Sequence, residues 1–120
     1  MPVLSLRITH DGHPLRPVAF SASLVRIGRD PRCEVFLPDP SVSRIHARIE
    51  CDGDRYYLVD NGSTNGTLVD GRRVDHEEIV SGSTIKVSAF ELMVEVIRSC
   101  VDPALGQSAG GSPNEPTIRL

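Results

Sequence analysis

The chain has 120 residues, a net charge of −3 and 39% hydrophobic residues, so its length suits one domain with a single core. The acidic balance argues against a nucleic-acid-binding protein, because such domains are usually basic. No apolar stretch approaches the length of a membrane span and the first residues do not resemble a signal peptide, so we expect a cytoplasmic protein without a membrane partner.

Short segments with alternating or β-branched residues recur between turn signals, which is typical of an all-β protein. The predicted strands, in chain order, are Val3–Thr9, Leu15–Phe20, Leu24–Gly28, Glu34–Phe36, His46–Cys51, Tyr56–Val59, Thr67–Val69, Thr84–Val87 and Glu91–Ile97. Several of them are separated by Asp-Gly or Asn-Gly pairs, whose glycines supply the positive φ that tight hairpin turns require. So many short strands in so few residues predict a sandwich of two packed sheets.

The composition changes at about Arg98, where proline, glycine, serine and alanine become frequent. A segment of this composition buries too little apolar surface to offset the entropy of ordering. We therefore predict a folded domain over residues 1–97 and a flexible tail or linker over residues 98–120.

The three cysteines, Cys33, Cys51 and Cys100, stand far apart and form no CxxC or Cys–His pattern. This spacing supports neither a zinc site nor a disulfide framework. We expect reduced thiols, no metal and no cofactor.

Three short motifs place small or hydroxyl residues beside turns. They are Gly28-Arg29, then Ser43-Arg44-Ile45-His46, then the run Asn-Gly-Ser-Thr-Asn-Gly-Thr over residues 61–67. Together they supply two arginines, two hydroxyls and an amide at three separate bends. That is the chemistry needed to hold a phosphate dianion and the backbone of the peptide that carries it.

These motifs, in this order and followed by Val69-Asp70-Gly71 and Gly82, closely resemble the forkhead-associated (FHA) domain. The resemblance extends over roughly residues 3–97. It implies a β-sandwich of about eleven mostly antiparallel strands that binds phosphothreonine peptides through loops at one end. It also implies a non-catalytic module whose partners are phosphothreonine-containing proteins in kinase-dependent complexes, or a module that regulates attached domains.

The resemblance assigns phosphopeptide binding to Arg29, Ser43, Arg44, Thr64 and Asn65. A guanidinium presents a planar fork of donors to paired phosphate oxygens, while an asparagine amide can bond the backbone of an extended peptide. Two plainer interpretations stay open: a surface ion pair of Arg29 with Asp30 or Asp39, and an ordinary hairpin turn at Asn65-Gly66.

Three further residues are expected to support the binding loops. Gly28 and Gly66 are interpreted as backbone-geometry residues, and the resemblance implies that His46 hydrogen-bonds backbone. Ser43, His46 and Asp60 contain the residue types of a hydrolase triad, but the sequence has no nucleophile elbow around a serine. A small serine hydrolase is therefore a weaker alternative than a phospho-independent scaffold.

The sequence also offers a candidate ligand within the chain. Thr117 stands three residues before Leu120, and FHA domains often select on the residue three positions after the phosphothreonine. Phosphorylated Thr117 is thus a candidate ligand for its own site or that of another copy. Ser41 and Val42, just before Ser43, supply no basic clamp, which favours an aliphatic residue at the selected position of a ligand.

Overall fold

The computed structural model describes residues 2–97, which form two β-sheets without a helix in that range. The strands are β1 Val3–His10, β2 His13–Pro14, β3 Val18–Phe20, β4 Leu24–Gly28, β5 Val35–Phe36, β6 Ala47–Asp52, β7 Arg55–Asp60, β8 Leu68–Val69, β9 Arg72–Arg73, β10 His76–Ile79, β11 Thr84–Val87 and β12 Phe90–Ile97. One sheet, sheet A, has the order β2-β1-β12-β11-β8-β9, with β3 also paired to β1. The other, sheet B, has the order β10-β7-β6-β4-β5.

All strand pairs are antiparallel except β4 with β5, among the residues that the structure describes. The prediction of an all-β, two-sheet, mostly antiparallel sandwich is therefore confirmed. The sheets contain twelve strands instead of about eleven, because several connections form two-residue strands.

The core is aliphatic, as the composition requires. In β12 the side chains of Phe90, Leu92 and Val94 are buried, while those of Glu91, Met93 and Glu95 are exposed. This period of two is what a sheet with one buried face needs. Tyr56 and Phe90 are the aromatic residues in the buried cluster, and the Tyr56 hydroxyl donates to the Pro2 carbonyl at 3.1 Å.

Two Asp-Gly pairs form tight turns, as predicted. Asp11 and Gly12 have φ values of 51° and 80° between β1 and β2, and Asp70 and Gly71 have 51° and 84° between β8 and β9. Positive φ at both central residues is the pattern of a type I′ turn, whose twist matches that of the flanking strands.

Some predicted strand limits are wrong. The expected strand Leu15–Phe20 is reduced to Val18–Phe20, and Leu15 follows the short β2 instead. The proline at position 17 explains the break, since proline has no N–H for a sheet ladder. The expected strand start at His46 moves to Ala47, and β5 excludes Glu34.

The first and last described strands pair along their whole length, from Val3 opposite Ile97 to His10 opposite Phe90. Nε2 of His10 lies 3.8 Å from Oδ2 of Asp39, and Asp39 belongs to the loop that follows β5. This loop is therefore at the His10 end of the sandwich. Val3 and Ile97 lie at the other end. Within residues 2–97, no helix is long and apolar enough to span a bilayer.

Candidate functional site

Three loops meet at the His10 end of the sandwich. The 29–34 loop joins β4 to β5, the 37–46 loop joins β5 to β6, and the 61–67 loop crosses from β7 in sheet B to β8 in sheet A. They surround an open depression of about 560 Å³ lined by Arg29, Asp30, Arg32, Pro40, Ser41, Val42, Ser43, Arg44, Ile45, Asn61, Thr64 and Asn65. The five residues predicted to bind phosphopeptide therefore lie around one depression.

Gly28 allows the 37–46 loop to cross closely over the end of β4. A Cβ atom built on Gly28 would lie 2.1 Å from the Arg44 carbonyl oxygen, which is well inside contact distance. The crossing is fixed by backbone hydrogen bonds from Arg29 N–H to the Ser43 carbonyl at 3.0 Å and from Asp30 N–H to the Arg44 carbonyl at 3.1 Å. The first two loops are thus joined directly through their backbones.

Among the described residues, the Arg29 side chain is anchored at one nitrogen. Its Nε donates to the Val42 carbonyl at 2.9 Å, which fixes the plane of the guanidinium. Within residues 2–97 it forms no ion pair, so the alternative pairing with Asp30 or Asp39 is not observed. The donors on the two Nη atoms remain available for an anion in the depression.

Ser43 joins the second loop to the third. Its Oγ accepts a hydrogen bond from the Thr64 N–H at 3.2 Å. Because a hydroxyl can accept and donate at once, the Ser43 proton stays available for a ligand. The backbone N–H of Arg44 has no acceptor among the described residues, so it offers a further donor beside Ser43.

Asn65 is held by its side-chain amide. Its Nδ2 donates to the Ser41 carbonyl at 2.7 Å, which leaves Oδ1 and a second amide hydrogen for other partners. Asn65-Gly66 does not form a hairpin turn, because the strands before and after the loop belong to different sheets. Gly66 has φ +82°, and a Cβ there would lie 2.7 Å from Nε of Arg73, so the Arg73 guanidinium covers this glycine.

His46 is fully buried beneath the depression. The Ser43 N–H donates to its Nδ1 at 3.1 Å, so Nδ1 carries no proton and Nε2–H donates to the Gly66 carbonyl at 2.8 Å. The ring therefore links the second loop to the third. Neither ring nitrogen bonds a serine hydroxyl or a carboxylate in the described range, so no hydrolase triad is formed.

Asp60 organises the 61–67 loop. Its carboxylate accepts from the Ser63 N–H at 3.0 Å, from the Ser63 hydroxyl at 2.5 Å and from the Thr67 hydroxyl at 2.7 Å. Burial by itself raises the pKa of Asp60, but the hydrogen bonds from Ser63 and Thr67 outweigh it and the net pKa is lowered. The sequence indicates Asp60 only as a candidate member of a triad, although an aspartate shortly before a serine is also a signal for such a turn.

Asp30 and Arg32 also line the depression, although the sequence motifs do not indicate either as a site residue. Asp30 is 8% exposed, and Arg32 holds it through Nη2 at 2.9 Å and Nε at 3.2 Å. This hydrogen-bonded guanidinium holds the pKa of Asp30 well below its usual range. Nη2 of Arg44 lies 3.8 Å from the same carboxylate. Arginines outnumber carboxylates among the lining residues, which leaves an excess of positive charge around the depression.

The described part of the chain holds no group of three or more side chains suited to binding a metal ion. The depression instead collects guanidinium, hydroxyl, amide and backbone N–H donors at one end of a two-sheet sandwich. These features define a class of domain, an all-β sandwich that presents an anion-binding surface on its loops.

Comparison with known proteins then gives the family. The FHA domain profile matches residues 25–88, and the chain belongs to the FHA domain family. The glycogen accumulation regulator GarA of Mycolicibacterium smegmatis is 38% identical over 66 residues, which are 55% of this chain and 42% of that protein. The chain spans less than half the length of the curated relatives that it matches first.

Solved structures give the same result. A domain from a study of phosphothreonine-dependent FHA domain interactions has a TM-score of 0.70 at 32% identity and covers 78% of this chain and 95% of its own. The FhaA FHA domain, solved in complex with the intracellular domain of Rv3910, has a TM-score of 0.69 at 31% identity, with coverages of 76% and 98%. Family membership points to a binding module without catalytic activity.

Proposed function

We propose that this chain binds phosphothreonine in a partner protein, and that it acts through this binding on kinase-dependent complexes or on domains attached to it. The observation that carries the proposal is the Arg29 guanidinium, which is anchored by Nε and lines the depression with Nη donors that have no partner within residues 2–97. A phosphothreonine brings about −1.5 to −2 charges and several acceptor oxygens, which match this set of donors.

Each group then has a defined part in binding. The Arg29 Nη donors and the Ser43 hydroxyl bind the phosphate, together with the Arg44 N–H. The Thr64 hydroxyl, which is exposed on the rim, adds a donor. Asn65 Oδ1 accepts a peptide N–H, because its Nδ2 is already turned toward Ser41. Arg44 contributes positive charge at the rim next to Asp30.

Several charge-assisted hydrogen bonds on one phosphate, less the costs of desolvation and ordering, give an affinity in the micromolar range, about −8 kcal/mol. Calorimetric titration with a phosphothreonine peptide library tests this, with threonine and phosphoserine peptides as controls. Binding that depends on the phosphate and falls at least tenfold in Arg29→Ala supports the proposal. Arg55→Ala is a matched control, since Arg55 lies at the far end of β7.

A folded wild-type protein that binds no phosphothreonine peptide would contradict the proposal. Equal binding of phosphorylated and unphosphorylated peptides would favour the phospho-independent scaffold instead. Turnover of an ester substrate that Ser43→Ala abolishes would favour the hydrolase. The cytoplasmic location and the domain limit at residue 97 stay predictions.

Phosphorylated Thr117 remains a proposed ligand, and it lies outside the described residues. Thr117 lies twenty positions after Ile97, and a chain of that length can extend to about 66 Å. The eight residue pairs of β1 and β12 span about 23 Å between the Ile97 end and the loops, so the distance allows binding within one chain. If a Thr117-phosphorylated peptide of residues 111–120 does not bind the protein, self-binding is excluded.

A further inference from the structure

The turn between β11 and β12 contains a residue that its own geometry disfavours. Val87 and Phe90 are paired, so Ser88 and Ala89 form a two-residue turn. Ser88 has φ +56°, whereas Ala89 is not in the positive-φ region. Positive φ at the first central residue alone is the pattern of a type II′ turn, in which glycine is the preferred residue there. Serine at this position therefore carries a conformational cost that glycine would not.

The Ser88 hydroxyl contacts the 37–46 loop. It is hydrogen-bonded to the Ser41 hydroxyl, 47 residues away in the chain. The Ser41 hydroxyl donates its single proton to Asp39 Oδ1 at 2.5 Å, so Ser88 is the donor to Ser41. The Ser41 N–H also donates to Asp39 Oδ1, at 2.9 Å. Asp39 thus holds Ser41 at its N–H and at its hydroxyl, and Ser88 in the turn between β11 and β12 holds the same hydroxyl.

The third polar atom of Ser41 connects this cluster to the site. Its carbonyl oxygen accepts the 2.7 Å hydrogen bond from Asn65 Nδ2, which sets the direction of the Asn65 amide. A chain of hydrogen bonds therefore runs from Ser88 through Ser41 to Asn65, which lies in the 61–67 loop. Ser88 does not line the depression, so it has no place in direct contact with a ligand.

We propose that Ser88 is a positioning residue for phosphopeptide binding, and that it acts through Ser41 on the orientation of the Asn65 amide. The inference rests on the proposed function, because Asn65 matters in this way only if a peptide binds beside it. Ser88, together with Asp39, keeps the Ser41 carbonyl in one place, so that Asn65 Oδ1 is directed at the ligand before it arrives. Without this contact, part of the ligand's binding free energy is used to order Ser41 and Asn65.

Two substitutions separate this role from a general effect on the fold. Ser88→Gly relieves the positive φ and removes the hydroxyl, so the urea midpoint stays the same or rises while phosphopeptide affinity falls about three- to tenfold. Ser88→Thr keeps a hydroxyl but places a β-branched residue at positive φ, so the midpoint falls while affinity stays within about twofold of wild type. If Ser88 only stabilised the fold, each substitution would change the urea midpoint and the phosphopeptide affinity in the same direction.

Asp70→Gly is the matched control, since Asp70 has φ +51° in the turn between β8 and β9 and bonds Thr84 instead of the site. It leaves the affinity unchanged. A second measurement follows the Asn65 side-chain amide signals by NMR in the free protein, where Ser88→Gly shifts them and Asp70→Gly does not. Wild-type affinity in Ser88→Gly, or unshifted Asn65 signals, would overturn the inference and leave the proposed function intact. A folded wild-type protein without phosphopeptide binding would overturn both.

Discussion

Gly28 controls how closely the 37–46 loop approaches β4, and replacing it tests how much the site depends on this close approach. In Gly28→Ala the new methyl group would lie 2.1 Å from the Arg44 carbonyl oxygen, so backbone must move. We expect a loss of about 2–4 kcal/mol in the free energy of unfolding and weaker phosphopeptide binding. Urea unfolding and calorimetry measure the two effects.

Gly12→Ala is the control for this change. Gly12 has φ +80°, and a Cβ there meets no atom within 4 Å, so only the conformational cost applies. That cost is about 1 kcal/mol, with no change in affinity. Equal destabilisation by the two substitutions would show that the contact with Arg44 relaxes easily.

The sequence predicts the positions of some site residues well and those of others not at all. The motif residues Arg29, Ser43 and Asn65 are recognisable because they stand at fixed spacing beside turns, and the structure places them around one depression. Ser41 and Ser88 carry no such signal. Their roles depend on hydrogen bonds between distant parts of the chain, and a positive φ at Ser88 contradicts the local preference for glycine.

The parallel pair of β4 and β5 is the element that carries the 29–34 loop. Glu34, just before β5, accepts from the Arg26 N–H at 2.8 Å and from the Arg26 guanidinium at 3.2 Å and 3.3 Å. The hydrogen bonds from Arg26 lower the pKa of Glu34 to about 2. This ion pair closes the loop at its C-terminal side, opposite the attachment of Arg29 to Val42.

The pKa of Glu34 predicts a pH dependence of stability. A carboxyl whose pKa is lower in the folded state stabilises the fold above its unfolded pKa, here near 4.5, and loses that contribution as the pH falls toward 2. Because the Glu34 side chain is one third exposed, we expect Glu34→Gln to cost only about 1 kcal/mol at pH 7. The stabilities of wild type and variant converge near pH 2.

Urea unfolding between pH 7 and pH 2 measures this convergence. Glu95→Gln is the control, because Glu95 is an exposed residue within β12. A constant difference between Glu34→Gln and wild type across the range would show that the loss comes from packing and not from ionisation.

The sequence predicts strands that have an apolar face. It does not predict strands that form only because their backbone pairs with a neighbouring strand. β10, with the sequence His-Glu-Glu-Ile, contains one buried residue, Ile79, and carries two acidic side chains. Among the described strands it is an edge strand, which pairs with β7 alone in sheet B. Charged residues are common on such edges because they oppose aggregation, so local β propensity does not reveal them.

The whole chain has a net charge of −3, yet arginines dominate the lining of the depression. Charges beyond roughly 8 Å are screened at physiological salt, so the local excess determines the affinity for an anionic peptide. We expect Arg44→Gln to weaken phosphopeptide binding about two- to fivefold and to reduce its salt dependence. Calorimetry at about 0.05 M and 0.5 M NaCl measures both.

Arg55→Gln removes the same charge at the far end of β7, five residues or about 17 Å from Asp60. It leaves the affinity unchanged at both salt concentrations. Similar effects of the two substitutions would mean that total charge controls binding, contrary to the local arrangement of Arg29, Arg32 and Arg44.

The pairing of β1 with β12 has a mechanical consequence. Val3 and Ile97 lie side by side at the end opposite the loops, so a force that pulls the chain by these two residues loads one hydrogen-bonded pair at a time. The strands peel apart from Val3 and Ile97 toward His10 and Phe90, which needs less force than shearing the whole ladder at once. The three loops around the depression are the last region that this opening reaches. A domain tethered at both ends can therefore yield under load while its binding surface is still assembled.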